Sequence, residues 1–156
     1  MTEGICFENL VKCCGQEVPP ALIIHCSNHL RQQQIDDFIL HDLGIASFDR
    51  FAVPGGAQFF AAGGMQYKFK MTDTERCLFL ITAHKIKRVI CIAEAGCSWY
   101  ESIHKEKATG DFLKGKQVND LKIARQELNK ILPEAEVQLF YAPYNDMGDL
   151  LFEEIV

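Results

Sequence analysis

Apolar residues in this chain follow two kinds of pattern, short continuous runs and longer segments in which they recur at helical spacing. The continuous runs are typical of strands buried on both faces, and they occupy residues 21–26, 48–53, 88–93 and 136–141. The segments with helical spacing are 29–43, 72–85, 98–103 and 118–131. A weaker apolar segment lies at 57–62, a polar stretch at 105–116 predicts an exposed loop, and 149–155 is expected to close the chain as a helix or a strand.

Residues that prefer helix ends support these boundaries. Gly44 stands where the first helix is expected to stop, and Pro133 follows the last one. Thr72 followed by Glu75 matches a capping box at the start of the second helix. Ser98 is a candidate cap for the short third helix.

The alternation of strands and helices predicts an α/β fold. Helical crossovers between strands imply a mainly parallel sheet of four to five strands, flanked by helices on both faces. We expect residues 1–156 to form one domain, since this is the usual length of one. Ligands bind at the carboxyl ends of the strands in such sheets, and here Cys26 and residues 94–97 fall at those ends.

The composition is that of a globular protein and argues against two classes of partner. Hydrophobic residues make up 48% of the chain and charged residues 24%. A net charge of -5 without a basic run is unfavourable for binding nucleic acid, which requires neutralisation of phosphates. No stretch reaches the roughly 20 apolar residues of a membrane span, and no signal-peptide pattern is seen. We therefore expect a cytoplasmic protein that acts without nucleic acid or membrane.

Seven cysteines, an odd number without a secretion signal, predict free thiols rather than a disulfide framework. Cys77 falls in a helical pattern and Cys91 in an apolar strand, where cysteine acts as a small hydrophobic residue. Three more lie in a segment whose structure the pattern does not predict: Cys6, Cys13 and Cys14. The candidates for chemistry are therefore Cys26 and Cys97.

Three short motifs at the predicted strand ends together resemble those of the β-class carbonic anhydrases, and most closely their short relatives. The motifs are Cys-Ser-Asn at 26–28, Pro-Gly-Gly at 54–56 and Glu-x-x-Cys at 94–97. An Asp-Leu-x-x-Ala-Arg pattern at 120–125 is also similar, so that the resemblance covers about residues 20–142. It implies the fold of that family, a homodimer, and a zinc ion held by two cysteines and a histidine, with a water or an aspartate in the fourth position.

The ligand positions of that family are only partly kept in this chain. Cys26 and Cys97 match the two cysteines, whereas Glu94 stands at the histidine position. Asn28 stands at the aspartate position and Leu30 at the arginine position. The resemblance thus implies zinc bound by Cys26, Glu94 and Cys97, with Asn28 hydrogen-bonded to the fourth ligand or to a small-molecule substrate or anion.

Glutamate in place of histidine changes the chemistry that the resemblance implies. Two cysteines and a glutamate carry one more negative charge than two cysteines and a histidine, which weakens the acidification of metal-bound water. Arg31 follows the arginine position by one residue, about 100° around a helix, and is not a simple substitute. Glutamate is still a competent zinc ligand, so we expect metal binding to survive better than CO2 hydration.

Several alternatives stay open on the sequence. His29 forms a Cys-x-x-His pair with Cys26 and would complete a closed four-ligand site, whereas His25 points to the other face of the sheet. The same pocket could serve a non-catalytic pseudoenzyme that binds a partner or a small anion, or Cys26 and Cys97 could form the disulfide of a redox sensor. The sequence argues against a nucleotide-binding Rossmann site, because the turn after the first strand lacks the glycines that let a backbone approach a pyrophosphate.

Overall fold

The computed structural model describes residues 18–63 and 66–156, so that the cysteines at 6, 13 and 14 lie outside the described residues. The strands within these ranges are β1 (Leu22–Cys26), β2 (Asp49–Val53), β3 (Arg88–Glu94), β4 (Glu136–Ala142) and β5 (Glu153–Glu154). The α-helices are α1 (Gln32–Asp37), α2 (Tyr67–Ala83), α3 (Ser98–His104) and α4 (Gly110–Ile131). Shorter 3-10 turns cover His29–Arg31, Gly56–Ala61 and Lys105–Lys107.

The strands form one five-stranded sheet in the order β2-β1-β3-β4-β5. The first four are parallel to one another, and β5 pairs with β4 in the antiparallel direction. The predicted α/β fold with a mainly parallel sheet is therefore confirmed. The segment expected to close the chain as a helix or a strand supplies the short edge strand β5.

The central strands are buried because helices cover the sheet on both sides. Along β1 the side chains alternate between two cores, so that Leu22 and Ile24 pack among the buried residues of α2 and α4. Ile23, between them, packs on the opposite side with Ile35 of α1 and with Phe38. This double burial explains why the strand reads as a continuous apolar run rather than as an alternating one.

The predicted helix at residues 29–43 consists of three parts in the structure. A 3-10 turn leads into α1, and α1 continues into a π-helical turn over Phe38–Asp42. A hydrogen bond of 3.1 Å from the Leu43 amide to the Phe38 carbonyl closes this turn. Its apolar face is buried as the spacing predicts, with Ile39 fully inaccessible. Gly44 adopts a φ of +67° and ends the helix, as expected.

Helix α2 begins earlier than its sequence pattern predicts. The prediction of a capping box at Thr72 and Glu75 is wrong, because the helix starts at Tyr67 and both residues lie inside it. No glycine or proline interrupts residues 67–72, and the helical hydrogen bonds therefore continue upstream. Within the described residues, none of the helices combines the length and the apolar composition of a membrane span.

Two predictions about the stretch that follows β3 are also wrong. Ser98 is the first residue of α3 rather than its cap, and Cys97 takes the cap position with an extended backbone. Helix α4 begins at Gly110, so that about half of the loop predicted for 105–116 is helical. This stretch is amphipathic rather than irregular, because its polar residues face solvent while Leu113 packs beside Cys97 in a small buried cluster.

Candidate metal centre

The parallel sheet brings the three predicted ligands together at one edge. Strands β1 and β3 are neighbours, and they end at Cys26 and Glu94 respectively. Beyond Glu94 the chain turns back through Gly96, which has a φ of +68°, and presents Cys97. The side-chain ligand atoms of Cys26, Glu94 and Cys97 all lie within 4.8 Å of one another, and all three residues are buried.

The two sulfur atoms are spaced much as a shared metal requires. Cys26 Sγ lies 3.5 Å from Cys97 Sγ. Two sulfur ligands placed 2.3 Å from a tetrahedral ion are about 3.8 Å apart, so only a small adjustment separates this geometry from a ligated one. Cys26 is 7% exposed and Cys97 is 2% exposed, so that both residues are largely shielded from solvent.

The contact between the two thiols shifts their pKa values in opposite directions. The hydrogen bond between them raises the pKa of Cys26, and burial adds to this effect. The same hydrogen bond lowers the pKa of Cys97, and the backbone amides of Trp99 and Tyr100 at the start of α3 favour its thiolate further. These effects favour Cys97 over Cys26 as the sulfur of the pair that loses its proton first.

Glu94 is the unusual member of the site. It is 1% exposed, and neither carboxylate oxygen has a hydrogen-bond partner among the described residues. Burial, followed by the neighbouring Cys26, raises the pKa of Glu94 to about 9, and the positive charge of Arg31 opposes this only in part. A buried carboxyl group without partners is costly, and a cation between the carboxylate and the thiols would supply what it lacks.

Two buried polar residues of α4 form hydrogen bonds with residues of the site or next to it. Gln117 donates a hydrogen bond of 2.8 Å to the backbone carbonyl of Glu94 and so holds the end of β3. Asp120 accepts a hydrogen bond of 3.0 Å from the Tyr100 hydroxyl, and Tyr100 belongs to the same buried cluster as the two cysteines. The sequence gives no sign of the Gln117 contact, since a glutamine within a helix is ordinarily exposed.

Two glycines allow neighbouring aromatic rings to approach the site. A Cβ atom on Gly55, whose φ is +79°, would lie 2.4 Å from the Trp99 ring. A Cβ atom on Gly96 would lie 2.4 Å from the Tyr144 hydroxyl. The ring of Tyr144 in turn stacks 4.6 Å beneath the Arg31 guanidinium, which places that cation on the side of the Glu94–Cys97 turn.

A small pocket opens directly over Cys26. It has a volume of about 210 Å³ and is lined by Cys26, Ser27, Asn28, His29, Pro54, Ser98 and Trp99. The side-chain oxygen of Asn28 accepts a hydrogen bond from the Leu30 amide, 3.2 Å long, and caps the 3-10 turn. The pocket is large enough for a small anion or a few waters and too small for a nucleotide.

The remaining candidates are not assembled around the three ligands. His29 is exposed and does not belong to the group of ligand atoms within 4.8 Å of one another. His25 is fully buried and its Nδ1 contacts the Cys26 carbonyl oxygen at 2.8 Å, away from the sulfur atoms. Leu30, at the arginine position of the resemblance, is 66% exposed.

Comparison with known proteins gives a result for the fold alone. No protein-family profile matches the sequence, and no curated protein sequence is significantly similar to it. The β-carbonic anhydrase CafD of Aspergillus fumigatus superposes on the structure with a TM-score of 0.51 and 11% identity, covering 94% of each chain. The chain has the β-carbonic anhydrase fold.

Two further structures agree with this assignment of the fold. The β-carbonic anhydrase CcaA gives a TM-score of 0.50 at 11% identity, over 88% of this chain and 78% of CcaA. A cysteine-to-alanine mutant of CafD gives 0.50 at 12% identity, over 92% of each chain. The fold implied by the resemblance of the motifs is thus confirmed, and the relationship to enzymes with the β-carbonic anhydrase fold is distant.

Proposed function

We propose that this chain binds a zinc ion through Cys26, Glu94 and Cys97, and that its CO2 hydration activity is weak, altered or absent. The observation that carries the proposal is the Glu94 carboxyl group, which is buried beside two thiols without a hydrogen-bond partner among the described residues. A divalent cation satisfies the carboxylate and both sulfurs at once.

The donor set selects the metal. Two thiolates and one carboxylate suit Zn²⁺, a borderline-soft ion that accepts sulfur at about 2.3 Å and carboxylate oxygen at about 2.0–2.2 Å. Mg²⁺ and Ca²⁺ require oxygen ligands almost throughout, and the two sulfurs argue against them. Three protein ligands leave a fourth position for a water or a small molecule.

The surrounding residues hold the donors in place and would set what the pocket can do. The amides of Gly55 and Asn28 favour the Cys26 thiolate, and Gln117 fixes the end of the strand that carries Glu94. A zinc ion bound there would supply a Lewis acid at the floor of the pocket. Asn28 lies on the pocket wall, and we propose that its amide nitrogen donates a hydrogen bond to the fourth ligand or to the bound molecule.

The same residues argue for low activity. The third ligand is an anion, so that the ligand set reduces the positive charge available to acidify bound water. Asn28, an amide on the pocket wall, cannot accept a proton as a carboxylate there would. A second candidate, a pseudoenzyme that holds a small anion or a partner in the same pocket, is favoured by this loss of acid–base groups.

Metal analysis tests the first half of the proposal. We expect about one zinc per chain after expression without chelator, and loss of most of that zinc in the Cys97→Ser and Glu94→Gln variants. Cys77→Ser is the matched control, because Cys77 is also buried but lies on α2, in a different core cluster from the two site cysteines. Zinc that is absent from the wild-type protein after reconstitution, or that is unaffected by both site variants, would reject the proposed ligands.

Stopped-flow CO2 hydration tests the second half. The zinc-loaded protein is expected to exceed the buffer rate slightly or not at all, and any excess should disappear in Glu94→Gln. A catalysed rate typical of efficient enzymes, with kcat/KM approaching the diffusion limit, would contradict low activity. A rate equal to buffer in zinc-loaded protein would favour the pseudoenzyme.

We further propose, on the resemblance alone, that the protein is a cytoplasmic homodimer. Sedimentation equilibrium of the full chain tests its assembly, since a mass of one chain at micromolar concentration would contradict a dimer. Fractionation of the source cells tests its location.

A further inference from the structure

We infer that Cys26 and Cys97 form an oxidation site, in which hydrogen peroxide converts the two thiols of the metal-free chain into a disulfide. This inference does not depend on the zinc proposal, because it uses only the positions of the two sulfur atoms. Their separation of 3.5 Å is the starting point, since a disulfide requires sulfur atoms about 2.05 Å apart. The closing movement is therefore about 1.5 Å.

The local backbone permits that movement on one side. Cys26 ends β1, and the following Ser27 amide is held by the Val53 carbonyl at 3.2 Å, so this side of the pair is fixed. Cys97 is the N-terminal cap residue of α3 and follows the left-handed Gly96, so that its backbone lies in a turn between strand and helix rather than inside either. Rotation of the Cys97 side chain, with a small shift of the turn, can therefore bring the two sulfurs together.

Hydrogen peroxide can reach Cys26 more easily than it can reach Cys77 or Cys91. Cys26 lines the pocket of about 210 Å³, which is many times the volume of a molecule of hydrogen peroxide. Cys77 and Cys91 are both 0% exposed. Burial raises the pKa of Cys77 to about 12 and raises the pKa of Cys91 as well, so that neither is an effective nucleophile.

The reaction is balanced with peroxide as the two-electron oxidant. One sulfur of the pair, as its thiolate, attacks a peroxide oxygen, the O–O bond breaks, and a sulfenic acid and hydroxide are formed. The second sulfur then attacks the sulfenic sulfur and displaces its hydroxyl group, which leaves as water once it has taken up a proton. Overall, two thiols and one hydrogen peroxide give one disulfide and two waters.

The disulfide between Cys26 and Cys97 and a zinc ion bound by the same residues exclude each other. The disulfide occupies both sulfur donors and leaves Glu94 as the remaining ligand, which is too few to hold zinc. Oxidation of a metal-free chain would therefore block later metal binding, and a bound metal would protect both thiols from peroxide.

Peptide mapping of the wild-type protein tests the inference and requires no variant that must fold. The metal-free chain is treated with hydrogen peroxide, denatured, alkylated without reduction, and digested with trypsin and a glutamate-specific protease. Cleavage after Glu17 and Arg31 releases peptide 18–31, and cleavage after Glu94 and Glu101 releases peptide 95–101. Each of these peptides carries a single cysteine, Cys26 or Cys97, so that a cross-link between them has one assignment.

The expected result is a linked species of 18–31 and 95–101, lighter by two hydrogens than the sum of the two peptides, while peptide 89–94 with Cys91 stays alkylated. Recovery of both site peptides as alkylated free thiols, or of Cys26 linked elsewhere, would overturn the inference. A parallel sample loaded with zinc should lose the linked species. Cross-linking that zinc does not affect would contradict the zinc site while supporting the oxidation site.

Discussion

Replacing Glu94 by glutamine should remove a large pH dependence from the stability of the metal-free protein. In the wild-type chain burial raises the pKa of Glu94 from 4.5 to about 9. The folded state therefore keeps a proton that the unfolded state releases, and stability contributed by this group is present below pH 4.5 and lost as the pH rises towards 9. Glutamine has nearly the same shape and does not titrate.

The size of the effect follows from the pKa shift. One pKa unit corresponds to about 1.4 kcal/mol, so that this group lowers the free energy of unfolding by about 3 kcal/mol between pH 5.5 and pH 8. A buried amide without partners has its own cost, but that cost is the same at both pH values and cancels in the comparison. The difference between variant and wild type should therefore change by about 3 kcal/mol over this interval, with Glu94→Gln the more favoured at pH 8.

Urea denaturation at pH 5.5 and at pH 8, in the presence of chelator and reductant, measures the free energy of unfolding of both proteins directly. Glu134→Gln is the matched control, because Glu134 is exposed and its replacement should leave the pH dependence of the wild type unchanged. If the free energy of unfolding depends on pH in the same way in wild type and Glu94→Gln, the reasoning is refuted. Such a result would show that Glu94 is solvated or hydrogen-bonded in the folded protein.

Three further substitutions test the construction of the site. Gly96→Ala places a Cβ atom 2.4 Å from the Tyr144 hydroxyl at a φ of +68°. It should lower the free energy of unfolding in urea by about 1–3 kcal/mol and weaken zinc binding in competition titrations. Unchanged values would contradict the close packing. Glu94→His, which makes the ligand set less negative, should raise CO2 hydration above the wild-type rate at equal zinc content, and a lower rate would contradict the electrostatic argument. Tyr100→Phe removes the donor to the buried Asp120 and should cost about 1–3 kcal/mol, whereas a neutral effect would mean that water replaces it.

The sheet could be predicted from the sequence because burial on both faces leaves a strong signal. The runs at 88–93 and 136–141 end within one residue of β3 and β4, since the side chains of each strand are packed in a core on both sides of the sheet. The start of helix α4 could not be predicted because residues 110–117 carry mostly polar side chains, and its amphipathic character depends on Leu113 and Gln117 reaching the site. Long-range packing of this kind is not visible in a local pattern.

The sequence was sufficient to predict that the three candidate ligands lie together, but not the distances between them or their hydrogen bonding. Parallel neighbouring strands end at one edge of the sheet, which is sufficient to place Cys26 near the Glu94–Cys97 turn. The sulfur separation of 3.5 Å and the unpartnered carboxylate depend on side-chain packing among residues distant in the sequence. The contact of Arg31 with Tyr144 likewise joins segments more than 100 positions apart, and no spacing rule indicates it.

X-ray absorption at the zinc edge of the zinc-loaded chain tests the central claim most directly, because it reports the ligands of the bound ion itself. Coordination by Cys26, Glu94 and Cys97 predicts two sulfur atoms at about 2.3 Å and light atoms at about 2.0–2.2 Å, without the outer-shell scattering of an imidazole ring. A spectrum with one sulfur, with four sulfurs, or with imidazole scattering would show that zinc is held by other residues and would contradict the account.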